Sequence, residues 1–130
     1  EEYASHLAGQ VRSDSLESYV RWLESMGTRF ALADNRRDVA VRIKKRFVSF
    51  GYPGTSLDSF YLQKTIQGVT YSTWQYNVIA TLAGREQDSI SIIGAHYDNY
   101  ASDGNPFMTA PGANDNASGL AAVMEIAFTI

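Results

Sequence analysis

The sequence contains no cysteine, which excludes a disulfide framework and any thiolate metal site. A metal held by this chain must therefore use imidazole and carboxylate donors. Histidine is nearly as scarce, with only His6 and His96. No apolar run approaches the roughly 18 residues needed to cross a bilayer, so no membrane partner is expected. Neither sign of charge is in large excess: 11 Lys and Arg face 14 Asp and Glu, for a net charge of −3. That balance argues against a nucleic-acid partner, which favours clustered basic surface. The basic residues Arg42, Lys44, Lys45 and Arg46 are interrupted by Ile43 and read as the solvated face of a helix. The opening Glu1-Glu2 is the opposite of the basic start of an export signal. No internal repeat or low-complexity segment is present.

What remains is ordinary globular material: 130 residues, 45% hydrophobic and 19% charged, enough for one domain or a piece of one. The first dozen residues offer only a loose helical stripe of Tyr3, Leu7 and Val11. Asp14 with Glu17 matches a capping box, and Leu16, Tyr19, Val20, Leu23 and Met26 follow at helical spacing up to Gly27. A second helix is expected from Asp34 or Asn35, with Val39, Ile43, Phe47 and Phe50 on its apolar face and Gly51-Tyr52-Pro53 as its stop.

The period then changes. Phe60, Leu62 and Ile66 mark one strand, Asn77 to Leu82 a second, and Ser89 to Ala95 a third of the buried type. A long loop runs from Tyr97 to Asn116, broken by Gly104, Pro106, Pro111 and Gly112. A final helix covers Ala117 to Ile130, with Leu120, Val123, Met124, Ala127 and Phe128 at helical spacing. Helix, helix, three strands and a helix predict an α/β layer structure with a mixed sheet. The last helix has no capping glycine and no polar tail, which reads as truncation.

Two segments carry candidate chemistry. His96 stands where a buried strand is expected to end, the edge at which open α/β sheets bind ligands. Asp98, two residues on, can accept its second ring proton and so fix the tautomer. The second segment, Ala110-Pro111-Gly112-Ala113-Asn114-Asp115-Asn116-Ala117-Ser118-Gly119, is a turn of small residues running directly into a helix. Asp115 or Asn116 could simply cap that helix, yet the small residues also permit close backbone approach to a ligand. Asn116-Ala117-Ser118 matches a glycosylation acceptor only formally, being at a helix start beside the candidate site.

Together, His96-Tyr97-Asp98 and the Gly112-to-Gly119 segment resemble the bacterial leucyl aminopeptidase family of two-zinc exopeptidases. The likeness extends from about Ser13 to Ile130, including Gly27-Thr28-Arg29-Phe30 and Tyr76 to Ala80. It implies a three-layer fold with a mixed, largely parallel sheet flanked by helices, of the zinc-exopeptidase and phosphorylase-hydrolase kind. Residues 1–130 would be the N-terminal portion of a single catalytic domain.

By position, the resemblance implies that His96 is a zinc ligand, Asp115 bridges two zinc ions, and Asp98 orients His96. Tyr97 and Tyr100 flank this site and could line a substrate pocket. Asn114 departs from the family, which often carries another aspartate there. The implied activity is removal of N-terminal residues from peptides, by an enzyme most of whose bacterial relatives are exported.

The general base expected of such an enzyme is missing. Beyond Asp115 the one acid is Glu125, more than two helical turns away and about 15 Å from the metals at about 1.5 Å per residue. His6 is too far upstream and is expected to be a surface residue. The 130-residue chain by itself is thus expected to bind zinc weakly and to be inactive. A glutaminyl cyclase-like acyltransferase and a non-catalytic binding module of the same fold are the competing readings. The Asn-Asp-Asn-Ala-Ser-Gly segment favours a peptidase over the first, and joint retention of His96, Asp98 and Asp115 argues against the second.

Overall fold

The computed structural model describes residues 2–86 and 88–130. Its elements follow the order α1 (Glu2–Ala8), α2 (Ser13–Glu24), α3 (Arg36–Ser49), β1 (Ser56–Ile66), β2 (Val69–Ile79), a kinked wide turn Ala113–Ala117, and α4 (Ser118–Thr129). The class is α/β, as expected.

Helices α2, α3 and α4 enclose one core. Tyr19 and Leu23 meet Val39, Ile43 and Phe47 of α3, Tyr52 beyond it, and Leu120, Ala121 and Met124 of α4. Apart from Tyr52 and Ala121, these are apolar positions whose helical spacing is legible in the sequence. Gly51, at φ 103°, ends α3 in a conformation that favours glycine. Helix α1 forms but buries nothing.

The expected capping box at Asp14 does not form. Helix α2 begins at Ser13 with Arg12 as the cap residue, so Asp14 lies inside the first turn. There its carboxylate takes two hydrogen bonds from the Arg12 guanidinium, while Glu17 turns to Arg21 one helical turn on. Ion pairs on the surface have replaced the reciprocal cap.

The strands differ more from expectation. β1 and β2 form an antiparallel hairpin, with Ser56 opposite Ile79 and Ile66 opposite Val69. Gln67 and Gly68 both have positive φ, 50° and 80°, as a two-residue hairpin turn of matching twist requires. Gln-Gly is an unusual pair for such a turn, which is why the second strand was expected to start eight residues later, at Asn77. Ala80 to Leu82 lie outside β2.

None of the described residues in 88–95 belongs to a strand, contrary to the buried strand expected there. Ile90 and Ile92 are almost fully exposed. A strand of that type exists only between hydrogen-bonded neighbours, and β1 and β2 are paired with each other. The sheet of the described residues is this one antiparallel pair. α3 packs against β2.

Candidate metal centre

His96 and Asp115 come from different parts of the chain: the end of the extended segment after Ile93 and the kinked turn before α4. The structure brings them together. His96 Nε2 lies 3.2 Å from Asp115 Oδ1, and His96 Nδ1 lies 3.1 Å from Asp98 Oδ1. One imidazole therefore stands between two carboxylates. A neutral imidazole has a single N–H, while both carboxylates only accept. A neutral ring can therefore donate to only one of them, and its other nitrogen keeps a lone pair that a metal ion could take.

The donor set suits zinc. Imidazole nitrogen and carboxylate oxygen are its preferred ligands when no thiolate is present. Two tetrahedral ligands each about 2.1 Å from zinc lie about 3.4 Å apart, close to the observed Nε2–Oδ1 separation. Asp98 occupies the other ring nitrogen, the position from which a carboxylate orients a ligating histidine. Among the described residues, no group of three or more His, Asp or Glu side chains is arranged to hold a metal ion. The Asp115 carboxylate is largely exposed, whereas His96 and Asp98 are about half exposed.

The turn that carries Asp115 is built by backbone geometry. Gly112 adopts φ 51° and ψ 51°. A Cβ there would lie 2.6 Å from Asn99 Cβ and 2.6 Å from the Asp115 carbonyl oxygen, so only glycine fits. The Ala117 N–H donates to the Gly112 carbonyl at 3.1 Å. Capping falls to Asn116, whose Oδ1 accepts the Gly119 N–H at 3.1 Å. Its partner residue Asp115 is thereby left free to face His96.

The two tyrosines take different positions. Tyr97 is partly buried, donates its hydroxyl to the Tyr76 carbonyl at 2.5 Å, and has its pKa pushed up to about 12, chiefly by burial. It lines a cavity of about 440 Å³ together with His96, Asp98, Phe60, Leu62, Val78 and Val123. Tyr100 is not among the lining residues; it is exposed, with its ring 5.6 Å from that of Phe30.

His6 is exposed and bonded to Gln10, remote from the site. Glu125 is buried, and its Oε1 accepts the Arg12 N–H at 2.9 Å. It serves the start of α2.

Sequence reasoning missed Arg29 and Asn99, which are both buried. The Arg29 guanidinium donates to the carbonyls of Leu23, Tyr97, Pro111 and Gly112 at 2.8–2.9 Å. Burial lowers its pKa, and Glu24 and Asp98 oppose that shift from a distance. Asn99 accepts from the Arg29 N–H, donates its backbone N–H to the Arg29 carbonyl, and donates its side-chain amide to Ala110. The available signal was an arginine in a short link flanked by Thr28 and Phe30, where a solvated residue has little reason to lie.

Comparison with known proteins places these motifs in context. Residues 77–130 match peptidase family M28. An uncharacterized Escherichia coli (strain K12) protein, YfbL, is 39% identical over 117 residues, covering 88% of this chain and 33% of that protein. A probable zinc metalloprotease of Leptosphaeria maculans is 29% identical over 140 residues, covering 98% of this chain and 32% of its own length. Leucine aminopeptidase 1 of Ajellomyces capsulatus is 23% identical over 123 residues, covering 95% of this chain and 30% of that protein. This chain thus spans about a third of the length of these relatives.

Proposed function

We propose that this chain supplies the first metal ligands of a zinc-dependent aminopeptidase acting on peptide N-termini. In this reading His96 and Asp115 would hold the zinc, and Asp98 would keep the imidazole in its ligating tautomer. The observation that carries it is the single imidazole held between Asp98 and Asp115, with the Nε2–Oδ1 distance of 3.2 Å. A two-zinc centre supplies an activated water and a polarised carbonyl when it is bound.

The chain's own residues have narrower tasks. Asp98 accepts the Nδ1 proton and so leaves Nε2 a lone pair for the metal. Asn116 caps α4 and keeps the Asp115 carboxylate off the helix amides. The cavity beside His96, with Tyr97 in its wall, offers apolar surface to a peptide side chain. Of the acids considered for general base, Asp98 is engaged with His96 and Glu125 with Arg12. Hence this chain alone binds zinc weakly and hydrolyses nothing. The parent protein's substrates are peptides rather than nucleic acid or membrane, and we assign it to an exported location. No helix of the described residues is long and apolar enough to cross a membrane.

The test is a zinc titration of the chain followed by amide NMR. Weak, saturable shifts should centre on His96, Asp98 and Asp115, and disappear in both His96→Ala and Asp115→Ala. Shifts that persist in both variants would refute the assignment. Release of an aminoacyl chromophore by this chain would refute its predicted inactivity. In the full-length protein, aminoacyl turnover against cyclisation of N-terminal glutamine separates peptidase from cyclase, and absence of both with no bound zinc indicates a binding module.

A further inference from the structure

We infer that Arg29 is a positioning residue that sets the separation of His96 from Asp115. Its guanidinium is 2% exposed as part of the whole residue and takes part in no ion pair among the described residues. A buried cation without a carboxylate partner is costly, so its placement calls for a compensating role. Its partners show what that role is.

Nε donates to the Tyr97 carbonyl, directly after His96, at 2.9 Å. Nη1 and Nη2 donate to Pro111 and Gly112, which open the turn carrying Asp115, at 2.8 and 2.9 Å. Nη1 also reaches the Leu23 carbonyl near the end of α2, at 2.9 Å. One rigid planar group thus ties both ligand-bearing segments to each other and to the helical core. Asn99 repeats the tie through the backbone, joining Arg29 to Ala110.

The geometry of the fork matters here as well as the charge. A lysine keeps the positive charge but presents one nitrogen with three donors, and it cannot serve four carbonyls spread around a plane. The consequence for zinc rests on the metal-site reading above; the effect on the backbone does not.

Two measurements on Arg29→Lys therefore test separate links. In the metal-free chain, amide hydrogen exchange should quicken at Asn99, Ala110 and Ala117, whose N–H groups close the clamped loop, while protection across α3 is unchanged. Zinc titrated alone should then bind about tenfold more weakly than to the unsubstituted chain, at an unchanged urea midpoint. In Arg29→Ala, millimolar methylguanidinium should restore slow exchange at those three amides, and methylammonium should not.

Uniform acceleration of exchange across α2, α3 and α4, or outright unfolding of Arg29→Lys, would make Arg29 a general structural residue and overturn the inference. Unchanged exchange at the three amides would overturn it too. If the unsubstituted chain gives no zinc shifts, the metal reading fails, and the exchange pattern still decides the role of Arg29.

Discussion

The helical side of this chain and its sheet side bury their apolar residues to very different extents. Leu23, Ala40 and Met124 are inaccessible to solvent, and Ile43 is 1% exposed. On the sheet side Phe60, Tyr61, Val69, Trp74 and Ile79 are all exposed, and Ile90 and Ile92 are 88% and 89% exposed. The difference follows from how each element satisfies its backbone. A helix closes its hydrogen bonds within itself and needs only one neighbour to bury its apolar stripe. A strand must find partners for its backbone groups along its edges, and a further layer packed on its face to cover its side chains. The candidate metal centre lies on the seam between these two regimes, with His96 on the open side and Asp115 at the start of a packed helix.

The largest effect should come from the helical core. Met124→Ala leaves a cavity among Leu23, Ile43 and Leu120 and should cost about 3 kcal/mol, read from the urea midpoint. A loss below about 1 kcal/mol would mean that α4 is not truly docked on α2 and α3, and the contrast between the two sides would collapse.

Gly112→Ala probes the seam itself. The added methyl meets Asn99 and the Asp115 carbonyl at a residue with φ 51°, which should cost about 2 kcal/mol. Because the strain falls on the turn that aims Asp115, the zinc-induced NMR shifts at His96 should weaken as well. Unchanged zinc shifts alongside the stability loss would separate the turn from the metal site.

How much of this was readable in advance follows the same division. The helices were placed to within a few residues, because Leu23, Ile43 and Leu120 announce their faces locally. The hairpin was found only in part, because register depends on a Gln67-Gly68 turn of unusual composition. The segment 89–95 has the composition of a buried strand, but composition does not reveal whether neighbours are present. His96, Asp98 and Asp115 are singled out by the family resemblance; the structure sets them side by side, and their roles as ligands are the proposal made above. Arg29 was not legible as a clamp, since its four acceptors are backbone carbonyls and carry no side-chain signature.

A smaller effect is expected at Tyr52, where the helical core reaches its edge. Its hydroxyl donates to the Ala127 carbonyl at 2.8 Å, and burial raises its pKa above the ordinary 10.0. Tyr52→Phe should cost about 1 kcal/mol at neutral pH from the lost hydrogen bond. The sign of the pH dependence follows from the raised value. The contribution is intact below pH 10.0 and is lost as pH rises through the folded-state pKa, because the unfolded chain ionises first. As pH rises above 10.0, the unsubstituted chain should therefore lose stability more steeply than Tyr52→Phe. Parallel urea midpoints over that range would show that Tyr52 is not buried as the helical side requires.

The smallest effect is the one that tests the open side most directly. Ile90→Ser removes a large apolar side chain, a change that inside a core would cost several kcal/mol. Ile90 is already 88% exposed in the folded chain, so folding removes almost none of its surface from water. The substitution should therefore change stability by less than about 0.5 kcal/mol in either direction, and Ile92→Ser should behave alike. Solubility is the more sensitive readout, because an exposed, unpaired apolar segment is a site for association between chains. The serine variants should stay monomeric to higher concentration in sedimentation. A loss above about 1 kcal/mol at either isoleucine would mean that 89–95 is covered in solution. In that case the open side would be as closed as the helical one, and His96 would stand on a supported strand rather than on an extended one.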